Sequence, residues 1–194
     1  VFNSYSSDGY RGTVKFDDGT PIRKGNVKAR LRMLFLYNEA HRHGGLVLGT
    51  DNFTEYQLGY FTIHGDHFDL GPIQSLWKTE VYGLSSWLVT QWILSDPRRC
   101  DAAVTKRVTA LQSCIDATPT DGLGITNSDL EALGDKTYRD VDDKLIAFLN
   151  RYVDDLTTEE VQILEDTPVI RRHLATHFKR NWPINIQREI STGK

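Results

Sequence analysis

Residues 46–78 read LVLGTDNFTEYQLGYFTIHGDHFDLGPIQSLWK and contain most of the candidate functional side chains of the protein. This segment opens with the apolar run Leu46–Leu48, which ends at the small and polar residues Gly49–Asn52. A continuous apolar run bounded by glycines is typical of a central parallel strand covered on both faces. Ligands of open α/β sheets bind where such strands end. The pattern therefore predicts a strand at Leu46–Thr50, followed by one side of a nucleotide site.

Composition and charge narrow the class of protein. The 194 residues carry a formal net charge of −3, with 39% hydrophobic and 25% charged residues. These values predict a single domain over 1–194, which begins with a polar arm at 1–23. The net charge gives no reason to expect nucleic-acid binding, and no apolar run approaches the ~20 residues that span a bilayer. We expect a cytoplasmic protein without a signal peptide, in which Cys100 and Cys114 are reduced thiols.

Helical spacing of apolar residues organises the rest of the chain. The first helix is predicted at Gly25–His43, with Asn26 as its N-cap, Gly44 as its stop and one apolar face buried. The helix-to-strand order and the two-glycine connection predict a doubly wound parallel α/β layer. Further helices are predicted at Phe53–Leu58, Ser75–Leu94, Ala102–Ile115, Tyr138–Tyr152, Thr157–Glu165 and Pro168–Phe178.

The charged side chains each have two interpretations from spacing alone. Glu55 is either a first-turn acid favoured by the helix dipole or a metal ligand. Lys78 also lies in a first turn, where a cation is unfavourable unless an anion answers it, and this hints at a phosphate partner. Lys28 and Arg32 share one helix face, which is either a solvated surface or part of a binding site.

Two loops have similar alternatives. The residues His64, Asp66, His67 and Asp69 suggest zinc, but their spacing matches no strong zinc template and we disfavour that site. The hydroxyl-rich segment Thr118–Gly124 is either a lid over the site or a plain surface connection.

Several motifs follow the order of one known family. They are Lys24–Arg30 (KGNVKAR), Leu48–Asn52 (LGTDN), Glu55, Gly59–Thr62 (GYFT), Gly65-Asp66, Pro72-Ile73, Leu76–Val81 (LWKTEV) and Lys179-Arg180 with Pro183. Weaker similarity lies at 118–123, 133–134 and 142–145. Together these motifs resemble NAD synthetase, which converts deamido-NAD to NAD, and the resemblance covers roughly residues 24–183.

This resemblance implies an adenine-nucleotide-hydrolase-like (Rossmann-like) α/β fold with a helical carboxyl-terminal part, and a homodimer. It also implies adenylation of the nicotinate carboxylate with ATP and Mg²⁺, followed by displacement of AMP by ammonia. Carried over by position, the implied ATP contacts are Thr50, Lys78 and Thr120. The implied deamido-NAD contacts are Lys28, Asp69 and Lys179, and the implied Mg²⁺ ligand is Glu55.

The chain also departs from the family pattern. Ile63 stands where the family usually has a lysine, which removes one substrate-phosphate contact unless His64 replaces it. Phe178 precedes Lys179 where a histidine is usual, and the segment Ser95–Cys114 is longer than expected, which affects the placement of Thr120. The phosphate-gripping Ser-Gly-Gly-x-Asp-Ser motif and a glutamine amidase domain do not occur in the 194 residues. We therefore expect the carboxyl-terminal portion of an ammonia-dependent enzyme, inactive by itself.

Two other functions remain open at this point. One is a non-catalytic remnant that binds a dinucleotide or a partner, and the other is a different ATP-pyrophosphatase-type ligase. The departures at Ile63 and Phe178 favour these alternatives slightly. The combination of Thr50, Glu55 and Lys78 favours the ligase, because a decayed site has no need for a metal acid and a phosphate cation in register.

Overall fold

The structure is a computed structural model that describes residues 21–98, 101–120, 127–152 and 155–181. Within these ranges the chain is helical. The helices are α1 (Pro21–His43), α2 (Phe53–Leu58), α3 (Lys78–Ser95), α4 (Ala102–Asp116), α5 (Asp129–Leu133), α6 (Tyr138–Leu149), α7 (Thr158–Glu165), α8 (Pro168–Ala175) and α9 (His177–Arg180).

Local capping signals explain most of these helix ends. The side chain of Asn52 caps α2 in a reciprocal capping box with Glu55, and Gly59 ends the helix in the left-handed conformation at φ 65°. Thr137 and Thr157 form the same capping box at the starts of α6 and α7. Each box satisfies first-turn N–H groups that have no acceptor within the helix. The predicted bounds of α2, α4 and α7 are therefore confirmed to within a residue.

The start of α1 was predicted wrongly. The helix begins at Pro21 rather than Gly25, so Asn26 lies inside it and residues 21–23 belong to the helix rather than to the arm. Proline suits a helix start because it has no N–H to leave unpaired. Residues 1–20 lie outside the described ranges. The side chain of Asn26 instead accepts a hydrogen bond from Thr62 Oγ1 at 3.0 Å.

The apolar face of α1 was also predicted wrongly. Only Gly25 and Ala29 are buried on this helix, and the leucines and phenylalanine of the predicted face are exposed. Leu34, for example, is 61% exposed. Helical periodicity shows that residues share a face, but it does not show what covers that face.

Among the described residues, the strand predicted at Leu46–Thr50 appears only as one isolated parallel bridge, between Leu48 and Leu70. Val47 is buried, whereas Leu46 and Leu48 are 73% and 60% exposed. The prediction that both faces of this segment are covered is therefore wrong for this chain. Among the described residues no extended strand is present, so the doubly wound parallel sheet is not confirmed.

The core lies around α6. Its residues Val141, Leu145 and Phe148 are buried and contact buried side chains of α2, α5 and α8. Full burial of a valine, leucine or phenylalanine side chain contributes about 1.5–3 kcal/mol relative to leaving it exposed. This packing fixes α2 and the start of α3 against α6. These are the two places that carry Glu55 and Lys78.

The carboxyl-terminal helices and one short helix, α5, differ from the predictions. The helix predicted at Pro168–Phe178 is broken at Thr176 into α8 and α9. Helix α5 was not predicted, although Ser128 caps its start and Gly134 ends it at φ 69°.

Among the described residues no helix is long and apolar enough to cross a membrane. Cys114 is a free, exposed thiol, and Cys100 lies outside the described ranges.

Candidate active site

Helix α2 places Glu55 at the end of the apolar segment. Its carboxylate makes two different contacts, one with each oxygen. Oε2 accepts a hydrogen bond from the N–H of Asn52 at 3.0 Å, and Oε1 lies 2.8 Å from Nζ of Lys78. Glu55 is therefore both the capping acid of α2 and the partner of a lysine that begins α3.

The ion pair between Glu55 and Lys78 explains how a cation is stabilised at the start of α3. Lys78 is the first residue of α3, where the helix dipole disfavours a cation. The side chains of Lys78 and Glu55 are only 16% and 27% exposed, so water screens their attraction less than at a fully exposed site. The rings of Tyr138 and Tyr82 lie 5.4 and 6.0 Å from the ammonium. The anion that compensates Lys78 in this structure is a side chain of the same protein.

A cavity of about 590 Å³, which we call the main cavity, opens beside this pair. Four of the seven residues implied by the family resemblance line it: Thr50, Glu55, Thr120 and Lys179. Lys78 is absent from the lining but contacts it through Glu55. Residues 121–124 of the predicted lid lie outside the described ranges. Ligand-sized concave sites with a few convergent polar groups are typical of small-molecule binding.

Lys28 and Asp69 lie elsewhere. Lys28 is exposed on α1 and lines neither the main cavity nor a second cavity described below. Asp69 is also outside both linings, and its carboxylate accepts hydrogen bonds from Val47 N–H at 2.8 Å and from the hydroxyl of Tyr37 at 3.4 Å. In this chain Asp69 ties the apolar segment to α1.

Lys179 occupies a central position between two cavities. A second cavity of about 320 Å³ adjoins the main cavity and is lined by Ile63, His64 and Lys179 among others. The ammonium of Lys179 donates hydrogen bonds to the carbonyls of Gly59 and Phe61, both at 2.6 Å. Burial and the nearby Arg172 lower the pKa of Lys179. The lysine that the resemblance assigns to the substrate thus also closes the turn after α2.

Further cations near this turn were missed in the sequence. The guanidinium of Arg172 lies 3.9 Å from the centre of the Tyr60 ring and donates a hydrogen bond to Leu58 O. It lines the main cavity. Arg180 donates to the carbonyl of Gln57 at 2.5 Å. The sequence signals were the Lys179-Arg180 motif and the basic composition of the carboxyl-terminal segment, and neither identifies the carbonyls that these cations meet.

Three carboxylates crowd one side of the main cavity. Asp51, Glu55 and Asp66 all line it. Burial, the charge of Asp66 and the charge of Glu55 together raise the pKa of Asp51 to about 6. Like charges held close together in a cleft are a frequent property of functional sites. A bound cation would relieve this repulsion.

The residues fit magnesium better than a metal held wholly by protein. Within the described ranges no group of three or more His, Cys, Asp or Glu side chains is arranged to hold a metal ion. Mg²⁺ in nucleotide enzymes typically takes one or two carboxylates and completes its shell with phosphates and water. Glu55, with oxygen donors at the cavity wall, is compatible with that pattern. The disfavoured zinc site gains no support, since His64, Asp66, His67 and Asp69 form no such group among the described residues.

A buried acid on α6 completes the surroundings of the pair. Asp142 is 1% exposed, and its carboxylate accepts hydrogen bonds from Thr54 on α2 and from Thr79 on α3. The sequence placed it only in the weakly similar segment 142–145 and predicted no role for it, since an aspartate in a helix carries no signal of the residues that it will meet. Thr54 is 88 positions away along the chain.

Comparison with known proteins identifies relatives of this chain. The family model described as NAD synthase matches residues 6–183. The NH(3)-dependent NAD(+) synthetase of Trichlorobacter lovleyi is 33% identical over 173 residues, which are 88% of this chain and 56% of the relative. The corresponding enzyme of Thermoplasma acidophilum is 31% identical over 182 residues, which are 93% of this chain and 64% of the relative. The chain thus spans between half and two thirds of the length of these relatives.

Two solved structures share the fold. The NMN synthetase of Francisella tularensis aligns with a TM-score of 0.55 at 26% identity and covers 88% of this chain and 58% of its own. The NH3-dependent NAD synthetase of Campylobacter jejuni aligns with a TM-score of 0.50 at 23% identity and covers 95% of this chain and 61% of its own. At that identity the second comparison supports the fold alone.

Proposed function

Because the chain belongs to the NAD synthase family, we propose that it supplies part of a ligase that uses ATP and ammonia to convert deamido-NAD to NAD. The observation that carries this proposal is the pair of Glu55 and Lys78 at the main cavity. A carboxylate for a metal ion and a cation for phosphate oxygens are the two groups that adenylation needs most. Catalysis of such phosphoryl chemistry depends mainly on positioning and on charge stabilisation.

The proposed reaction has two steps. The nicotinate carboxylate of deamido-NAD attacks the α-phosphorus of ATP, and the bond to the β-phosphate breaks so that pyrophosphate leaves. Ammonia then attacks the activated acyl carbon, the carbon–oxygen bond breaks with its electrons going to AMP, and a proton is released. Negative charge develops on phosphate oxygens in the first step, so a nearby cation such as Lys78 lowers the barrier.

The proposed roles follow the residues named above. Thr50, Lys78 and Thr120 contact ATP, and Lys28, Asp69 and Lys179 contact deamido-NAD. Thr50, Thr120 and Glu55 line the main cavity, which supports their assignment to ATP and the metal ion. Lys28 and Asp69 line neither cavity, so their assignment to deamido-NAD rests on the family resemblance. Thr50 and Thr120 offer hydroxyl groups that orient a ligand.

Magnesium has a defined place in this proposal. Glu55 would hold the ion, which when bound neutralises charge on the phosphate oxygens. In the structure described here both oxygens of Glu55 already accept from the protein. The metal ion would replace Lys78 at Oε1, because the contact of Oε2 to Asn52 is part of the helix cap.

The experiment measures AMP and NAD formed by the full-length product of the reading frame that contains these 194 residues. Deamido-NAD, ATP, Mg²⁺ and ammonium should give equal amounts of both products. Glu55→Gln keeps an oxygen for the cap but loses the charge, so we expect the rate to fall by about 10²–10³-fold. Glu80→Gln is the matched control, since Glu80 likewise accepts a hydrogen bond from the N–H of the residue before its helix, Trp77, at 2.8 Å. Equal rates in both variants would contradict the metal assignment, and no AMP from wild type would contradict the function.

A second candidate differs only in the substrate. The similarity to an NMN synthetase favours a ligase that amidates a mononucleotide. The same assay with nicotinate mononucleotide in place of deamido-NAD distinguishes the two. A larger kcat/KM for the mononucleotide would overturn the first proposal and retain the chemistry. If neither substrate supports AMP formation, the third possibility is left, a ligase that adenylates another carboxylate.

We also propose that the full-length product is a homodimer and works in the cytoplasm. Exposed apolar side chains on α1 support the dimer: Leu31, Leu34, Phe35 and Leu36. Sedimentation should give twice the monomer mass, and Leu34→Glu should lower it. Leu94→Glu, at an exposed leucine of α3, is the control. A monomeric wild type would refute the dimer.

A further inference from the structure

The carboxylate of Asp142 joins the two helices that carry Glu55 and Lys78. Oδ1 accepts a hydrogen bond from Thr54 Oγ1 at 2.6 Å. Oδ2 accepts from the N–H of Thr79 at 2.9 Å and from its hydroxyl at 2.8 Å. Thr54 immediately precedes Glu55 on α2, and Thr79 immediately follows Lys78 on α3.

The hydroxyl of Thr54 extends this network to the backbone of the lysine. A hydroxyl has one proton to donate and two lone pairs to accept with. Since Thr54 donates its proton to Asp142, it is free to accept from the N–H of Lys78, and the distance is 2.8 Å. The orientation of the hydroxyl is therefore set by the carboxylate, and the backbone of Lys78 is set by the hydroxyl.

These contacts replace the usual cap of α3. The N-cap residue Trp77 provides no side-chain cap hydrogen bond, so the first N–H groups of the helix depend on other acceptors. Lys78 N–H and Thr79 N–H find theirs on α2 and α6. Helices α2, α6 and α7 of the same chain are capped by neighbouring residues, which shows that a distant carboxylate is not needed for capping alone.

Burying this acid has a cost that capping does not explain. Asp142 is 1% exposed, and burial raises its pKa, although the hydrogen bonds from Thr54 and Thr79 oppose that rise. A threonine hydroxyl or an asparagine caps a helix without burying a charge. The distinguishing property of Asp142 is that it fixes the start of α2 and the start of α3 relative to one another.

We propose that Asp142 is a positioning residue that fixes Glu55 and Lys78 relative to each other for the binding of metal and phosphate. This inference rests on the proposed function, because it assigns those two side chains to Mg²⁺ and ATP. Asp142 does not line the main cavity, so it acts through Thr54 and Thr79 rather than by touching a ligand.

The first test is amide hydrogen exchange in the 194-residue chain, read residue by residue by NMR. In wild type the amides of Lys78 and Thr79 should be protected, although first-turn amides usually exchange quickly. Asp142→Asn has a single acceptor oxygen and can serve only one of the two helix starts, so protection of the Thr79 amide, or of the Lys78 amide through Thr54, should fall at least about tenfold. The matched control is Asp143→Asn, an exposed acid at the next position. Unchanged protection in Asp142→Asn would overturn the proposal.

Thr54 provides a second pair of variants that stays informative if Asp142→Asn does not fold. Thr54→Ser keeps the hydroxyl, and Thr54→Val keeps the size but removes it. Protection of the Lys78 amide should survive in the serine variant and fall in the valine variant. Equal protection in both would contradict the role of the hydroxyl.

The last test measures Mg²⁺-dependent ATP affinity in the full-length product by calorimetry. Asp142→Asn should raise the Kd for ATP about tenfold, and Asp143→Asn should change it less than about twofold. Lost protection with unchanged affinity would reduce Asp142 to a structural cap and overturn the positioning role. If wild type binds no ATP, the proposed function is wrong, while the exchange result still decides whether Asp142 holds the two helix starts.

Discussion

The negative charge of Asp51 lowers the free energy of unfolding at neutral pH. Its carboxyl group is partly buried beside two other acids, Asp66 and Glu55, all of which line the main cavity. Burial first, and then these two charges, raise its pKa from 3.8 to about 6. Replacement by asparagine keeps the shape and removes the charge. We therefore expect Asp51→Asn to stabilise the protein in a way that depends on pH.

The direction and size follow from linkage. An acid with a raised pKa binds its proton more tightly in the folded state than in the unfolded state. Stability therefore falls as the pH rises from about 4 to about 6, and the loss is complete above that range. A shift of about two pKa units corresponds to at most about 3 kcal/mol. The side chain is partly solvated, so screening reduces the expected gain for the variant to about 1–2 kcal/mol at pH 7.5.

Urea unfolding of the 194-residue chain at pH 4.5 and pH 7.5 measures this effect. The difference in unfolding free energy between Asp51→Asn and wild type should be larger at pH 7.5. Asp116→Asn, at an exposed position on α4, should give no such difference. If Mg²⁺ binds among these carboxylates, adding it should stabilise wild type more than Asp51→Asn. An Asp51→Asn variant that is no more stable than wild type at pH 7.5 would refute the reasoning.

Three further predictions concern packing and the turn after α2. Leu145→Ala should lower the unfolding free energy by about 2–5 kcal/mol in urea, and Leu149→Ala, one turn later and partly exposed, should cost clearly less. Gly59→Ala should destabilise by more than about 1 kcal/mol, because φ is 65° and the new Cβ would lie 2.5 Å from a neighbouring side chain. Gly83→Ala, in open space within α3, should have the opposite sign in the same assay. Lys179→Met should lower the Tm and weaken deamido-NAD binding in calorimetry, since two carbonyls lose their donor; an unchanged Tm would contradict its structural role.

The parts of the fold that sequence predicted are those fixed by near neighbours. The bounds of α2 follow from Asn52, Glu55 and Gly59, which lie within eight positions of each other and act on the same backbone. The predicted bounds of α4, Ala102–Ile115, likewise agree with the observed helix to within a residue. Local chemistry was sufficient because each of these features needs only the helix itself or one packed neighbour.

The predictions that are wrong concern segments whose burial or pairing depends on residues far away in the chain. The apolar side of α1 has the period of a buried face, but within the described residues its leucines have no cover. The apolar segment at Leu46–Leu48 has the composition of a central strand, yet in the part of the chain that the structure describes its one bridge is to Leu70. Periodicity shows which residues share a face, but it carries no information about pairing partners more than twenty residues away.

The position of Lys78 shows how the same limit applies to the site. The dipole of α3 requires an anion near this lysine, and sequence alone suggested phosphate. The structure supplies Glu55 at 2.8 Å, so ATP would have to replace a contact rather than fill a vacancy. Mg²⁺ at Glu55 would release the lysine, and phosphate at Lys78 would release the carboxylate. Because each exchange frees the partner that the other needs, metal and nucleotide should bind this pair together more readily than either binds alone.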